Sequence, residues 1–418
     1  MKTTKKEWSW ILYDWANSAF AIVMLTAILP LFFKDMTSYL GIADSDSTAF
    51  WGYANSIGTF LIAILAPFLG TIADYQGFKK RFFIFFFSLG VFFTGIMATV
   101  PMGQWKIVIV FYILSLIGFS GANVFYDSFL TDVTDDKRMD KISSMGYAYG
   151  YIGSTIPFII GIAIVFFSRN LGISTTFAYR LSFVITALWW GLFTIPMLKN
   201  VKQVYYIERE NNSIKNSFKR LMSTLKNIKE YKAIFIFLLA YFFYNDGVGT
   251  IIRMASVFGR DVGVAPMDLL VILLVTQFVA FPFALLYGKL SSIYSGKTMI
   301  LVAVSIYIFI CIYAYQIDST LDFWILAMLV ASSQGGIQAL SRSYFGKLIP
   351  KNNSSEFFGI YNIFGRFSSI LGPTLVGIIA QVTGNTRYGV FSVVIFFLIG
   401  AFLLLKVPNQ VKLKAVNQ

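Results

Sequence analysis

Histidine is absent from the 418-residue chain, and its single cysteine is Cys311. The missing histidines remove the side chain that most often serves as a general acid or base and as a metal ligand. A lone cysteine excludes a disulfide framework and a thiolate metal site. The sequence therefore gives no reason to expect a bound metal or any other cofactor.

Charged residues are also scarce. Asp, Glu, Lys and Arg make up only 13% of the chain, whereas hydrophobic residue types make up 57%. A soluble domain carries about 25% charged residues. Together with a mean hydropathy of +0.70, this composition predicts an integral membrane protein.

Twelve apolar segments are long enough to cross a bilayer as helices of about 20 residues. These predicted spans, numbered in chain order, cover about residues 10–33, 50–73, 82–101, 106–131, 143–167, 178–198, 233–258, 267–291, 298–316, 322–347, 357–382 and 387–406. They predict an all-α polytopic protein with a six-helix bundle in residues 1–198, a polar linker in residues 199–232 and a second six-helix bundle in residues 233–418.

The basic residues are distributed unevenly between the two sides of these spans. Of the 34 Lys and Arg residues, 25 fall on the side of the termini and the linker, five fall on the other side and four lie within spans. The positive-inside rule therefore predicts cytoplasmic termini and a cytoplasmic linker. The net charge of +14 reflects topology, so we expect membrane lipids and no nucleic acid as partners.

Several polar side chains lie inside the spans, where an isolated charge is costly and usually pairs or faces water. A first layer lies within about two helical turns of the inner face. Its members are Asp14 in span 1, Asp127 in span 4 and Arg342 in span 10. One turn from each of them on the same span lies an amide side chain, namely Asn17, Asn123 and Gln338 respectively.

Two interpretations of this inner layer stay open. Asn123 and Asp127 form either a structural polar seam or, with Arg342, a cytoplasmic gate. Gln338 and Arg342 lie one turn apart on span 10, and they suit either a hydrogen-bonding or carboxylate-bearing solute or a helix–helix contact.

A deeper layer contains Asn245 and Asp246 of span 7 and Arg366 of span 11. Asp246 lies about 20 Å from the inner end of its span, near the middle of the bilayer. Asp246 and Arg366 form either a fixed salt bridge or a switchable pair that serves transport. Because desolvation favours the neutral form of a carboxyl group, Asp246, with Asp14 and Asp127 in the inner layer, is a candidate for proton exchange.

The two halves of the chain echo one another. The end of span 2 and the loop after it read Gly70-Thr71-Ile72-Ala73-Asp74-Tyr75-Gln76-Gly77-Phe78-Lys79-Lys80. A degenerate version of this motif lies between Gly288 and Lys297, at the end of span 8. Tyr13-Asp14-Trp15 in span 1 is matched by Tyr244-Asn245-Asp246-Gly247 in span 7. Echoes in the same helix order predict an internal repeat related by a pseudo-two-fold axis.

These motifs resemble the major facilitator superfamily, and within it the branch of autophagy-related vacuolar effluxers and their bacterial relatives. The stretches that carry this resemblance are residues 13–20, 70–80, 240–248, 336–343 and 357–373. The resemblance implies two rocking bundles, a cavity lined by helices 1, 4, 7 and 10, and a location in a bacterial plasma membrane. It also implies amino-acid export.

The resemblance also implies that the loop after span 2 forms part of a cytoplasmic gate. The residues that match the superfamily's loop signature are Gly70, Asp74, Gly77, Lys79 and Lys80. Tyr75 departs from that signature, because a basic residue is usual there, so we expect a weaker charge relay in this loop.

We expect a monomeric secondary active transporter that moves a small polar solute and is coupled to protons. Residues Ser291–Thr298 partly match the phosphate-binding loop motif, but the first glycine of the motif and the strand before it are missing. We therefore do not expect an ATPase. A lipid or drug efflux carrier of the same fold is the alternative. An intramembrane enzyme or a channel is the alternative of another class, although the span cores contain no histidine or glutamate for acid–base chemistry.

Overall fold

The computed structural model describes residues 2–208, 213–226, 230–368 and 370–408, and all regular structure within them is helical apart from one isolated parallel bridge between Tyr75 and Ile207. The helices of the first half are α1 (Lys5–Phe20), α2 (Ile28–Tyr39), α3 (Asp44–Ala73), α4 (Phe78–Ile96), α5 (Trp105–Ser128), α6 (Leu130–Val133), α7 (Met139–Phe166), α8 (Thr175–Asn200) and α9 (Ser213–Lys226). Those of the second half are α10 (Lys232–Asp261), α11 (Pro266–Tyr294), α12 (Gly296–Ala314), α13 (Thr320–Leu348), α14 (Ser354–Phe367), α15 (Leu371–Thr383), α16 (Thr386–Ser392) and α17 (Val394–Lys406). A π-helical segment, Ala21–Ala27, joins α1 to α2, and short 3-10 segments lie at Met97–Thr99 and Lys351–Asn353.

Twelve helical stretches among the described residues are long and apolar enough to cross a membrane. Each overlaps one of the twelve predicted spans. Span 1 comprises α1, the π-helical segment and α2, whereas span 11 is divided between α14 and α15. The prediction of an all-α polytopic protein with twelve spans is confirmed.

Local sequence signals fix where some of these helices begin. At the start of α1, the Thr4 hydroxyl accepts a hydrogen bond from the Glu7 amide, and the Glu7 carboxylate accepts one from the Thr4 amide. Ser319 and Asp322 form the same reciprocal capping box at the start of α13. Each box satisfies amide groups that the helix itself leaves without a partner.

The chain forms two compact units. The first contains Met1–Val133, Tyr149–Ser217 and Asn352–Gly359. The second contains Thr134–Ala148, Phe218–Lys351 and Ile360–Gln418. The start of α7 is thus grouped with the second unit and the start of α14 with the first.

Buried aromatic side chains fill the core of each unit. In the first unit, Trp10 stacks on Tyr126 with ring centroids 4.4 Å apart, and its indole N–H donates to the Tyr126 carbonyl oxygen. In the second unit, Tyr307 stacks on Phe397 at 5.2 Å. The indole N–H of Trp10 thus has a backbone partner inside the core, as a buried indole usually does.

In its described residues, the predicted linker contains one helix, α9, between the end of α8 and the start of α10. Leu221 of α9 is buried, whereas Phe218 on an adjacent side of the same helix is 55% exposed. Residues 209–212 and 227–229 of the linker lie outside the described residues.

Candidate functional site

The inner layer of the first unit contains a hydrogen bond between α1 and α5. Asn17 donates from its amide nitrogen to the side-chain oxygen of Asn123. Asn17 is buried, and Asp14, one turn earlier on α1, is 8% exposed. Asp127 follows Asn123 by one turn on α5 and is partly exposed. The structure therefore brings Asn17 and Asn123 together, while the predicted gate between Asp127 and Arg342 stays a prediction.

The loop after span 2 binds the first turn of α14. Asp74 is fully buried, and its two carboxylate oxygens accept the amides of Ser355 and Glu356 at 2.8 and 3.1 Å. A carboxylate at a helix N-terminus satisfies free amides and interacts favourably with the helix dipole. Gly70 lies so close to the Ser355 carbonyl that no larger side chain fits there.

Lys79 of the same loop is fully buried and forms an ion pair with Asp132, with 2.7 Å between Nζ and Oδ2. Its ammonium group also donates to the hydroxyl of Ser354 at 2.8 Å. Gly77 precedes α4 with a φ of +79°, a conformation that favours glycine. Lys80 donates to the Val201 carbonyl oxygen at 2.8 Å.

The start of the linker is held against this loop by two residues that the sequence analysis missed. Asp132 uses its second oxygen to accept the amides of Val204 and Tyr205 at 2.7 and 2.9 Å. Gln203 accepts the amide of Gly77 at 2.9 Å. Asp132 was detectable as an acidic residue at the inner end of span 4, whereas nothing in the sequence singles out Gln203.

Arg342 lies on α13 and is 2% exposed. Its Nε donates to the Ser143 hydroxyl at 2.9 Å, and one terminal nitrogen donates to the Ser143 carbonyl oxygen at 3.1 Å. Its guanidinium carbon lies 4.4 Å from the ring centre of Tyr147. Gln338, one turn earlier on α13, is partly exposed. Arg342 is thus anchored to the start of α7.

A second contact reinforces that anchor. Asp140 forms an ion pair with Lys347 at 2.6 Å and accepts a hydrogen bond from the hydroxyl of Ser343 at 2.6 Å. Sequence reasoning missed Asp140, because its position just before span 5 looks like an ordinary solvated loop. Its partners are about 200 residues away in the chain.

Span 11 is interrupted opposite the middle of α10. α14 ends at Phe367 and α15 begins at Leu371. Asn245 donates from its amide nitrogen to the Gly365 carbonyl oxygen at 3.3 Å and to the Ser368 hydroxyl at 2.7 Å, at the end of α14.

Asp246, the next residue, caps the other side of the interruption. Both of its carboxylate oxygens accept the Gly372 amide at 3.0 Å, in the first turn of α15. The Thr250 hydroxyl donates to the same carboxylate at 3.4 Å. Asp246 is fully buried. Two adjacent residues of α10 therefore bind the two helix ends at the interruption. Asn245 donates to the C-terminal end of α14, and Asp246 accepts from an amide at the N-terminal end of α15.

Arg366 is not the partner of Asp246 in this structure. Its Nε donates to the Asn362 side-chain oxygen, one turn earlier on α14, at 2.6 Å. The expected ion pair between Asp246 and Arg366 is absent from the described part of the chain. The ion pair is absent because the Asp246 carboxylate binds the Gly372 amide in the first turn of α15 instead.

Comparison with protein families decides the assignment. The family model described as "vacuole effluxer Atg22 like" matches residues 2–139 and 131–416. The chain belongs to this family. The resemblance drawn from the sequence motifs is confirmed.

Atg22-like relatives cover most of the chain. The MFS-type transporter YxiO of Bacillus subtilis, itself named as uncharacterized, is 56% identical over 409 residues, which are 97% of this chain and 96% of that protein. Autophagy-related protein 22 of Kluyveromyces lactis is 25% identical over 399 residues, which are 87% of this chain and 79% of that protein. This Atg22-like protein is thus an integral membrane transporter of the major facilitator superfamily (MFS) and not an enzyme.

Solved structures show the same fold. The proton:xylose symporter XylE bound to 6-bromo-6-deoxy-D-glucose has a TM-score of 0.70 and 11% identity, covering 97% of this chain and 94% of that chain. The MFS transporter FucP, in the outward conformation, has a TM-score of 0.69 and 12% identity, covering 97% and 98%. At these identities, the likeness establishes the major facilitator fold alone.

Proposed function

We propose that this Atg22-like transporter is a proton-coupled secondary active carrier of a small polar solute, with Asp246 as its coupling carboxylate. The observation that carries the proposal is the burial of Asp246 at the middle of α10, where its hydrogen-bond donors are a backbone amide and a hydroxyl group. A carboxylate held by uncharged groups inside a membrane span can accept a proton without breaking an ion pair. Arg253 lies two turns further along α10 and interacts electrostatically with Asp246.

Proton uptake at Asp246 would change how span 11 is held. The carboxylate form binds the first turn of α15 through a charge-assisted hydrogen bond, which is about twice as strong as a neutral one. The neutral form loses that advantage, while Asn245 still holds the end of α14. Protonation would therefore loosen α15 relative to α14, which gives the carrier a proton-dependent hinge.

The other predicted residues have roles within the same proposal. Asp14, Asn17, Asn123 and Asp127 of the first unit, with Gln338 and Arg342 of the second, would bind solute or control access to it. Gly70, Asp74, Gly77, Lys79 and Lys80 would form the cytoplasmic gate loop.

The description of the family model as a vacuole effluxer supports transport in the export direction. Amino acids are the first solutes that we propose to test. The 56% identity to a bacterial transporter supports a location in a bacterial plasma membrane. We place both termini in the cytoplasm on the distribution of Lys and Arg.

A two-step experiment tests this function. Purified protein is first screened by thermal shift against amino acids, dipeptides, sugars and lipids, since a ligand that binds the folded state raises its unfolding temperature. Ligands that bind are then tested in proteoliposomes for saturable counterflow and for accumulation driven by a pH gradient. We expect both activities. Accumulation that ignores the pH gradient would refute proton coupling, and electrical conduction or chemical turnover of the ligand would refute a carrier.

A further inference from the structure

Arg366 is a partly buried cation near the middle of a membrane span, one residue before the end of α14. Its Nε is occupied by the Asn362 side-chain oxygen at 2.6 Å. Within the residues that the structure describes, its two terminal nitrogens have no hydrogen-bond or ion-pair partner. A cation in a span normally pairs with an anion or faces water. Because the two terminal nitrogens have no partner among the described residues, they can bind an anion that enters from water.

The resident carboxylate is unable to fill that role in this structure. Asp246 binds the Gly372 amide with both oxygens, and Thr250 donates to it from the next turn of α10. Asp246 and Arg366 were predicted to lie at similar depths in the membrane. Because Asp246 instead caps α15, it does not compensate the positive charge of Arg366.

We propose that Arg366 binds the anionic oxygens of the transported solute, either a carboxylate or a phosphate, and that Asn362 positions its guanidinium group. This inference rests on the proposed function as a carrier and names a chemical class for its solute. A guanidinium group presents its donors in a planar fork. With Nε held by Asn362, the edge formed by the two terminal nitrogens is free to bind two oxygens of one anion.

The surroundings of Arg366 suit a small solute. Tyr241 of α10 is partly exposed and stacks on the buried Tyr361 of α14 at 4.3 Å. Gly365 allows the Tyr241 hydroxyl to approach, since a Cβ at that position would lie 2.9 Å from it. Asn245 donates to the end of α14 and keeps its own side-chain oxygen as an acceptor. The region thus offers a cation, a hydrogen-bond acceptor and a partly exposed tyrosine ring.

Binding measurements at one pH and without a gradient test this proposal independently of proton coupling. The probes are L-amino acids with their matched carboxamides, and inorganic phosphate and glucose 6-phosphate with glucose as the neutral counterpart. Each is added to the full-length protein in detergent, and its apparent Kd is taken from the thermal shift. The variants are Arg366→Gln, Arg366→Lys and Asn362→Asp. The control is Arg180→Gln, which removes a different arginine within a span, one that donates to the Val100 carbonyl oxygen.

We expect only anionic probes to bind the wild type, and the carboxylate and phosphate arms to show which anion it is. Arg366→Gln should weaken that binding by about 10- to 150-fold, the range for one charge-assisted interaction. Arg366→Lys should weaken it less, because the charge remains while the fork is lost. Arg180→Gln should leave binding within a factor of about two.

Asn362→Asp keeps the arginine and remains informative if Arg366→Gln does not fold. It places a carboxylate 2.6 Å from Nε, so the resident anion should compete with the solute and weaken anion binding. The proposal is wrong if no anionic probe binds, if a carboxamide or glucose binds as well as its anionic counterpart, or if Arg366→Gln and Asn362→Asp both bind the anion like the wild type. Intact anion binding in a protein that ignores a pH gradient would overturn the coupling function alone.

Discussion

Adding one methyl group at Gly372 tests the contact between α10 and α15. A Cβ at this position would strike the Thr250 hydroxyl oxygen and would lie 2.8 Å from an Asp246 carboxylate oxygen. Gly372→Ala therefore either distorts the neighbouring side chains or pushes α15 away from the carboxylate that caps it. Gly377 is the matched control, because it lies on the same helix and a Cβ there would meet nothing within 4 Å.

The expected cost follows from these contacts. Overpacking a well-packed site by one methyl group costs about 1–3 kcal/mol. Escaping the clash by moving α15 sacrifices the charge-assisted hydrogen bond to Gly372, which is worth about 1.5–3 kcal/mol. We therefore expect Gly372→Ala to destabilise the protein by about 1–3 kcal/mol. Gly377→Ala should be neutral or slightly stabilising, since alanine is the better helix former.

Thermal unfolding in detergent and counterflow in proteoliposomes give the two readouts. Gly372→Ala should lower the unfolding temperature by several degrees and slow counterflow, and Gly377→Ala should do neither. Adding Thr250→Ala, which removes the hydroxyl oxygen nearest the new methyl group and keeps a good helix former in α10, should recover part of the lost stability. If Gly372→Ala is as stable and as active as Gly377→Ala, the described contact between α10 and α15 is wrong.

Two further predictions concern the gate loop and the topology. Lys79→Ala should destabilise the protein by about 3–5 kcal/mol, because it leaves the buried carboxylate of Asp132 without its ion-pair partner. Lys80→Ala should cost far less. Thermal unfolding of the two variants side by side checks this, and equal stability would contradict it. Cysteines introduced at the exposed positions Lys219 and Arg169 should react with an impermeant maleimide from the cytoplasmic and outer sides respectively, and the opposite pattern would invert the topology.

The sequence was sufficient to predict the twelve spans, because hydropathy over about 20 residues is a strong signal. It also singled out Asp246 as a deep carboxylate, since a helix rises by a fixed 1.5 Å per residue. Depth along a helix says nothing about which way a side chain points around it. For that reason the pairing of Asp246 with Arg366, inferred from similar depths, does not occur in this structure.

The interruption of span 11 was not predicted, although the sequence contains a signal for it. Pro373 has no amide hydrogen, and such a residue is tolerated in the first turn of a helix but not in its interior. Together with Gly372, it marks a new helix start, which the structure places at Leu371. The apolar residues on both sides concealed this signal, because they satisfy the hydropathy of one continuous span.

The contacts of Asp132, Asp140 and Gln203 were beyond the reach of sequence reasoning for another reason. Each binds groups that lie far away in the chain, such as the amides of Val204 and Tyr205 for Asp132. A single sequence contains no information about such partners. Only the packed structure shows that the linker start binds the loop after span 2.

The most direct test of the account compares Asp246→Asn with the wild type in proteoliposomes that contain a pH-sensitive dye and a solute identified by the thermal-shift screen. Proton movement, solute accumulation driven by a pH gradient, and solute counterflow without a gradient are measured on the same preparations. We predict that Asp246→Asn retains counterflow but loses both the gradient-driven accumulation and the proton flux that accompanies the solute. If Asp246→Asn still accumulates solute against its gradient as the wild type does, Asp246 is not the coupling carboxylate and serves only to hold span 11 in place.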